Sequence, residues 1–142
     1  YRANRGQILR HLADERIDNV VILTGDVHSA WAIDVPDSEP PRARYDAKTG
    51  RGARAVELVA PAVSSLPFLF HPGVREVFPD PEQNHAHVRY ANLEQNGWIL
   101  LDLDRDRASA EFLFDRGTAQ RDPTCRRGAL LEARAGSAHL ET

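Results

Sequence analysis

Length, composition and charge favour one globular domain and exclude a polyanion-binding surface. The chain has 142 residues, of which 42% are hydrophobic and 27% charged, enough for one core. A net charge of -3 and a pI near 6.1 give no basic field for nucleic acid or an anionic membrane, although a small phosphorylated substrate needs only local positive charge. The one cysteine, Cys125, excludes an internal disulfide framework. No apolar run reaches the roughly 18 residues that span a bilayer.

The first part of the chain predicts a helix that packs on a strand. Asn4 is a candidate helix cap. The apolar residues that follow it share one helical face, namely Ile8, Leu9 and Leu12. The uninterrupted aliphatic run at 20–23 is typical of a strand covered on both faces, and a helix feeding such a strand indicates the α/β class.

The middle of the chain predicts two further strands separated by loops. Residues 31–35 alternate weakly, as a short strand does, whereas prolines, glycines and charges over 36–53 favour an exposed loop. Residues 54–59 form a second convincing strand pattern. The proline-flanked cluster at 68–70 favours one helical turn or a packed loop, and we expect mainly loop over 71–82, with room for one helical turn at 73–78.

A β-hairpin is predicted near the carboxyl end. Residues 98–103 form a clear strand pattern, and residues 108–114 alternate apolar and polar side chains after a polar turn. Residues 116–142 are rich in arginine and glycine, so we expect an irregular tail or an edge strand there. The predicted fold is therefore α/β, with a mixed sheet and a terminal β-hairpin.

The residues after the first strand carry the clearest chemistry. Gly25, Asp26 and His28 follow the apolar run, at the strand end where α/β sheets bind ligands. Carboxylate and imidazole together suit iron, manganese or zinc, and the glycine lets the backbone turn so that both side chains converge. The same pattern also fits a turn capped by Asp26, with His28 as a hydrogen-bonded residue at its rim, because such tripeptides are common.

Four segments in the same order resemble the PhoD-like alkaline phosphatases, a branch of the calcineurin-like metallophosphoesterases. Residues 23–31, LTGDVHSAW, resemble the family motif LTGDVHSSW. Residues 1–12 resemble the GYxAxRxxLLxxL segment that precedes it, and residues 57–65 resemble EFVTPSVSS. Residues 87–98 resemble HxKYVDLDRHGY, which leads into a strand. The resemblance spans about four fifths of the chain.

The resemblance implies a fold and a reaction. Family members have an αββα sandwich with a multinuclear metal centre, and residues 1–142 resemble its carboxyl-terminal portion. The missing amino-terminal half of the domain would supply the other ligands. Asp26 and His28 match the last ligand motif and are therefore candidate metal ligands. The implied cofactors are iron with calcium, with manganese or zinc as alternatives, and the implied reaction is hydrolysis of phosphate mono- or diesters.

A second polar cluster lies at 84–89. It matches the family's Asn-Pro-His-x-Lys pattern imperfectly, because an extra residue intervenes and Arg89 replaces the lysine. By resemblance, His87 and Arg89 are candidate catalytic-site residues that orient phosphate or a carboxylate behind the metal ligands. A solvated loop is the alternative. We expect the remaining histidines of separate segments to be structural or exposed, namely His11, His71 and His139.

Two functions follow from these observations. The first is metal-dependent hydrolysis of a small phosphorylated substrate by the full-length protein, to which the chain contributes Asp26 and His28, with the isolated chain inactive. The second is a noncatalytic fragment or metal-binding module that requires a partner segment, because half a sandwich leaves apolar strand faces uncovered. The sequence does not decide the cellular compartment, because a periplasmic or secreted location would need an export signal upstream of Tyr1.

Overall fold

One long helix and two four-stranded sheets organise the part of the chain that the computed structural model describes, which is residues 1–37, 45–77, 80–116 and 124–142. The helices are α1 (Arg2–Asp14), α2 (Val74–Val77) and α3 (Pro81–Asn84), and a 3-10 turn covers Phe68–Phe70. The strands are β1 (Val21–Thr24), β2 (Ala30–Pro36), β3 (Ala53–Val59), β4 (Val88–Asn92), β5 (Gly97–Leu103), β6 (Arg107–Phe114), β7 (Arg126–Arg134) and β8 (Leu140–Glu141).

The first sheet is mixed and carries the loop that the sequence singles out. Its strand order is β1-β3-β2-β4. β1 runs parallel to β3, with Leu23 opposite Leu58, whereas β2 is antiparallel to both β3 and β4. Within the described residues β1 pairs with β3 alone, so it forms an edge of the sheet. Its carboxyl end at Thr24 leads directly into the loop that holds Asp26 and His28.

The second sheet is antiparallel and contains the predicted hairpin. Its order is β5-β6-β7-β8, and the β5–β6 pair places Leu101 opposite Ala110. β7 lies between β6 and β8, inside the sheet rather than at its edge. The arginine- and glycine-rich end of the chain thus contributes one interior strand and one short edge strand, with residues 117–123 outside the described part.

Hydrophobic packing arranges the molecule in the order helix, sheet, sheet. On the outer face of the first sheet, Leu9 of α1 packs with Val35 and Ala55. Alternate residues of the strands fill the space between the sheets, because successive side chains point to opposite faces. Burial of each large side chain there contributes about 1.5–3 kcal/mol. The buried residues of this cluster are Ala30, Ala32, Val56, Leu58, Ala110, Phe112, Phe114, Leu131, Ala133 and Leu140.

This architecture confirms the predicted α/β class with two sheets, and it corrects three local expectations. The helix begins at Arg2 with Tyr1 as its cap residue, so Asn4 lies in the first turn instead of at the cap. Ile8 is 60% exposed, because only Leu9 and Leu12 of the expected face turn toward the sheet. The expectation that the first strand is covered on both faces is also wrong at the end of β1, where Leu23 is 62% exposed at the sheet edge.

The segment expected to be an exposed loop, 36–53, is only partly loop. Pro36 belongs to β2 and Ala53 to β3, while residues 38–44 lie outside the described residues. Gly50 is buried with a φ of 67°, and a Cβ there would lie 2.3 Å from the Cβ of His139. A glycine is therefore required at this turn for both backbone conformation and space. No helix among the described ranges combines the length and apolar character needed to cross a membrane.

Candidate metal-ligand loop

The loop after β1 holds its two polar residues in an unusual backbone conformation. Asp26 has a φ of 74° and His28 a φ of 54°, both in the left-handed region. Asp and His enter this region more readily than most residues, but it still favours glycine. Gly25, by contrast, has no positive φ, and a Cβ added to it would meet nothing within 4 Å. The sharp turn is therefore made at the ligand candidates themselves, and not at Gly25 as the sequence suggested.

The imidazole of His28 is oriented by a backbone carbonyl. Its Nδ1 lies 3.1 Å from the carbonyl oxygen of Leu66. Because a carbonyl oxygen only accepts hydrogen bonds, Nδ1 carries a hydrogen in this contact, and in the neutral imidazole this leaves the lone pair on Nε2. The backbone of the same residue is held as well, since the Phe68 amide donates to the His28 carbonyl at 2.9 Å. His28 thus has the tautomer and the fixed ring that a metal-binding histidine requires.

A buried hydroxyl supports the loop from below. Ser29 is fully buried at the start of β2, and its Oγ accepts a hydrogen bond from Trp31 Nε1 at 2.6 Å. The same hydroxyl donates to the Val27 carbonyl oxygen at 3.4 Å. Ser29 is therefore a turn residue with its hydroxyl already engaged, and it is not exposed as a nucleophile would be.

Asp26 completes a donor pair but not a full metal site. Its side chain is exposed, and its carboxylate has no hydrogen-bond partner among the described residues. Carboxylate oxygen and imidazole nitrogen form a donor set that suits iron, manganese or zinc. Over the described ranges, however, no group of three or more His, Cys, Asp or Glu side chains could hold a metal ion. Asp26 and His28 fit a metal only as part of a larger ligand set.

The sequence did not single out Asn96, which supports the segment facing His28. Asn96 is 7% exposed, and its Nδ2 donates to the carbonyl oxygens of Ala62 and Ser65 at 3.0 and 2.7 Å. This segment ends at Leu66, the hydrogen-bond acceptor for His28. An asparagine before a glycine reads locally as a turn, so its local pattern gave no signal of these contacts, which lie more than 30 residues away in sequence.

His87 and Arg89 lie beside the middle of β2, away from its junction with this loop. Val88 pairs with Ile33, and the Asp34 amide donates to the His87 carbonyl at 2.9 Å. The loop of the two candidate ligands, residues 25–29 (the ligand loop), instead joins β2 at Ala30. The four residue steps from Ala30 to Asp34 span roughly 13 Å in a strand. The structure therefore brings Asp26 and His28 together in one loop and His87 and Arg89 together elsewhere.

The guanidinium of Arg89 binds backbone carbonyls. Nη1 donates to the Ala47 carbonyl oxygen at 2.8 Å, and Nε donates to the Leu140 carbonyl oxygen at 3.1 Å. These contacts join β4 to the turn after Tyr45 and to β8. Since each bond closes a long stretch of chain, the geometry of Arg89 serves the fold.

A buried carboxylate lies beside this second cluster. Asp34 is fully buried and accepts hydrogen bonds from Tyr45 Oη at 2.7 Å, His139 Nδ1 at 2.6 Å and the Leu140 amide at 2.9 Å. Burial, followed by the hydrogen bond to Asp34, raises the pKa of Tyr45 far above its ordinary value. His139 is thus a structural residue, as expected from the sequence. Its partner Asp34 was not foreseen, because the alternation of β2 gives no sign of a buried charge.

His87 stands at the edge of this cluster with a perturbed titration. Its ring makes an edge-on contact with the Tyr45 ring at a centroid distance of 6.4 Å and lies 5.8 Å from the His85 ring. Burial lowers the pKa of His87, and the positive charges of His85 and Arg5 lower it further. The imidazole is therefore held toward its neutral form.

Comparison with known proteins identifies the family of the chain. The family model described as PhoD-like phosphatase matches residues 1–112. The chain belongs to the PhoD-like phosphatase family. A solved structure titled "Structure of PhoD" is similar with a TM-score of 0.73 and 16% sequence identity, over 99% of this chain and 25% of that one. A search of curated proteins gave no match.

The family match covers the ligand loop of this PhoD-like chain together with its supports. Residues 1–112 include Asp26, His28, Leu66 and Asn96, whereas His139 and Leu140 lie beyond the matched range. The fold likeness continues through the carboxyl end, since it covers 99% of the chain. The chain spans a quarter of the length of the PhoD structure it resembles. The resemblance read from the sequence motifs is confirmed at the level of family and fold.

Proposed function

We propose that the protein containing this chain hydrolyses phosphate mono- or diesters at a metal centre to which Asp26 and His28 contribute ligands. The observation that carries the proposal is the orientation of the His28 ring. Its Nδ1 donates a hydrogen bond to the Leu66 carbonyl oxygen, so that Nε2 keeps its lone pair for a metal ion. Membership of the PhoD-like phosphatase family supports the reaction class. The left-handed backbone at both residues supports a functional loop, since such conformations cluster at active sites.

The two side chains would play different parts at such a centre. His28 supplies a neutral nitrogen donor in a fixed direction, and Asp26 supplies a hard, negatively charged oxygen donor. When bound, the metal ions act as Lewis acids on the phosphoryl group and activate water for attack. The exposed carboxylate of Asp26 leaves this side of the loop open to the remaining ligands and the substrate.

The proposed metals are iron with calcium, with manganese or zinc as alternatives. A carboxylate in place of a second imidazole adds negative charge to the donor set, which favours a harder or more highly charged ion. Elemental analysis of the purified protein, before and after treatment with a chelator, distinguishes these metals. Readdition of each metal alone, followed by an activity measurement, identifies those that restore hydrolysis.

The proposal is tested by removing each ligand in the whole protein. Asp26→Asn and His28→Ala should each lower bound metal and reduce hydrolysis of p-nitrophenyl phosphate and bis(p-nitrophenyl) phosphate by at least 100-fold, about 2.7 kcal/mol in the barrier. Asp102→Asn, an exposed carboxylate on β5, is a matched control and should change neither quantity. Unchanged metal content and rate in both ligand variants would exclude the assignment.

The second proposal is that this chain requires a partner segment to complete its site and cover its surface. It is supported by the exposed edge at Leu23 and by exposed apolar residues on the outer face of the second sheet, namely Trp98, Leu100 and Leu130. Soluble proteins rarely leave contiguous apolar surface uncovered without a partner. The donor pair in the ligand loop points the same way, because two side chains do not make a complete metal site.

A further inference from the structure

Asn96 joins the second sheet to the segment that faces the ligand loop. It lies immediately before Gly97, the first residue of β5. Its backbone is fixed in the second sheet, because the Asp115 amide donates to the Asn96 carbonyl oxygen at 3.1 Å. Its side chain, in contrast, is buried against a segment that leaves β3 of the first sheet. Asn96 therefore ties the segment that follows β3 of the first sheet to the backbone of the second sheet.

Both hydrogen atoms of the Asn96 amide are used on that segment. Nδ2 donates to the carbonyl oxygen of Ala62 at 3.0 Å and to that of Ser65 at 2.7 Å. The Gly97 amide donates to the same Ala62 oxygen at 3.0 Å. Three hydrogen bonds from two adjacent residues thus hold a stretch that has no helix or strand of its own.

The held stretch ends at the atom that orients His28. Leu66 follows Ser65 directly, and its carbonyl oxygen accepts the hydrogen bond from His28 Nδ1. A peptide unit fixed on one side restricts the next, so the two bonds made by Asn96 limit where the Leu66 carbonyl can point. Without them the segment keeps the Gly97 contact near its start, and just beyond its end the bonds from the Phe68 amide to the His28 carbonyl and from the Leu69 amide to the Leu93 carbonyl.

We propose that Asn96 is a positioning residue, which fixes the orientation and tautomer of His28 through the Ala62–Leu66 segment. The consequence of this positioning rests on the proposed function, in which the lone pair on Nε2 of His28 binds a metal ion. The positioning itself is independent of any metal. Asn96 stands where the family pattern HxKYVDLDRHGY, which residues 87–98 resemble, has histidine.

The tautomer of His28 is measured directly by nitrogen NMR. The metal-free protein is labelled with nitrogen-15 at histidine and studied at a pH where the imidazoles are neutral, with the His28 signal identified by its loss in His28→Gln. In the wild type, Nδ1 should show the shift of a protonated nitrogen and Nε2 that of an unprotonated one. In Asn96→Leu, which keeps the branching but removes both donors, the two nitrogens should move toward averaged shifts of mixed tautomers.

The control separates positioning from general stability. Leu101→Ala, in the same strand β5, removes a side chain that packs against the core and leaves the Asn96 bonds in place. It should lower thermal stability yet keep the wild-type nitrogen shifts. Unchanged shifts in Asn96→Leu, or altered shifts in Leu101→Ala of the same size, would overturn the proposal. A wild-type His28 protonated at Nε2 would overturn it without any variant, even if Asn96→Leu failed to fold.

Metal binding provides the second readout. The affinity of the whole protein for Mn²⁺, measured by calorimetry, should fall about 10- to 100-fold in Asn96→Leu, the range for residues behind metal ligands. It should stay within threefold of wild type in Leu101→Ala. If neither the wild type nor the variant binds Mn²⁺, Zn²⁺ or Fe²⁺ while the nitrogen shifts change as expected, the proposed function fails and the positioning of His28 by Asn96 stands.

Discussion

Asp26 and His28 adopt backbone conformations that glycine would occupy at lower cost. A left-handed conformation costs an L-residue roughly 1–2 kcal/mol, and somewhat less for Asp. The loop accepts this cost at two positions separated by Val27, whose φ is not positive. Such strain persists only when the surroundings hold the loop, as the Ser29 hydroxyl and the Leu66 carbonyl do here. The contacts that hold the loop therefore outweigh the local backbone preference at these two residues.

The strain at Asp26 predicts an inverted response to glycine. Asp26→Gly should be more stable than Asp26→Ala by about 1 kcal/mol, because glycine relieves the positive φ that alanine keeps. Urea unfolding of both variants measures the difference. At Val27 the order should reverse, with Val27→Ala more stable than Val27→Gly. An Asp26→Ala variant at least as stable as Asp26→Gly would show that the Asp26 backbone is unstrained.

Protonation of His87 predicts a loss of stability in acid. Burial, helped by His85 and Arg5, lowers the pKa of His87 in the folded protein below its ordinary value of 6.5. Between these two pKa values the unfolded chain binds more protons, so stability falls as the pH drops through 6.5 toward the folded value. His87→Gln should therefore lose less melting temperature than wild type on acidification. Parallel pH profiles for the two proteins would contradict this reading.

At the scale of elements, Asp34 joins pieces of chain that no strand pairing connects. One carboxylate accepts hydrogen bonds from the turn at Tyr45 and from His139 and Leu140 at the carboxyl end. Arg89 adds bonds from β4 to the Ala47 and Leu140 carbonyls. β8 has only two residues, so these side chains supply much of what holds the end of the chain on the first sheet.

Removal of the Asp34 carboxylate should release that end. Asp34→Ala leaves the buried donors of His139 and Leu140 and the half-buried hydroxyl of Tyr45 without their acceptor, and we expect a loss of about 3–5 kcal/mol in the free energy of unfolding. Urea unfolding measures the loss, and amide exchange at Leu140 should accelerate before the rest of the second sheet opens. Asp102→Ala, at an exposed position, should stay within about 0.5 kcal/mol of wild type. Equal stability of Asp34→Ala and wild type would exclude this role.

At the scale of the whole molecule, the two sheets share one hydrophobic core, and exposed apolar side chains on the second sheet could contact another protein segment. α1 covers the first sheet, but Trp98, Leu100 and Leu130 are exposed on the second. The chain corresponds to 25% of the PhoD structure that it resembles. The absence of a three-ligand group from the described residues and the exposed apolar side chains of the second sheet are both consistent with a larger assembly around the same loop.

We expect the isolated chain to be inactive. The purified 142-residue chain should not hydrolyse p-nitrophenyl phosphate above background, because no group of three or more His, Cys, Asp or Glu side chains among its described residues could hold a metal ion. The assay is run with each candidate metal added, and the whole protein serves as the positive control. Hydrolysis by the isolated chain that disappears in Asp26→Asn would contradict the prediction.

The sequence by itself determined the elements whose signal is local. The aliphatic run before Thr24, the alternation around Phe112 and the polar turn before Arg107 each specify a strand or turn within a few residues. The Gly-Asp-Val-His-Ser motif likewise placed both candidate ligands in one loop after a strand. The sequence wrongly placed the sharp turn at Gly25. The contacts that hold the loop decide which residue takes the left-handed conformation.

Only the tertiary structure decided the environment of each polar side chain. The His28–Leu66 bond spans 38 residues, the Asn96–Ser65 bond 31 and the Asp34–His139 bond 105, and no local pattern encodes such pairs. The placement of His87 and Arg89 away from the ligand loop followed from the register of β4 on β2, which the motif spacing did not contain. Side-chain chemistry is local in sequence, whereas hydrogen-bond partners are set when the sheets pack, and this packing gives His28 its tautomer.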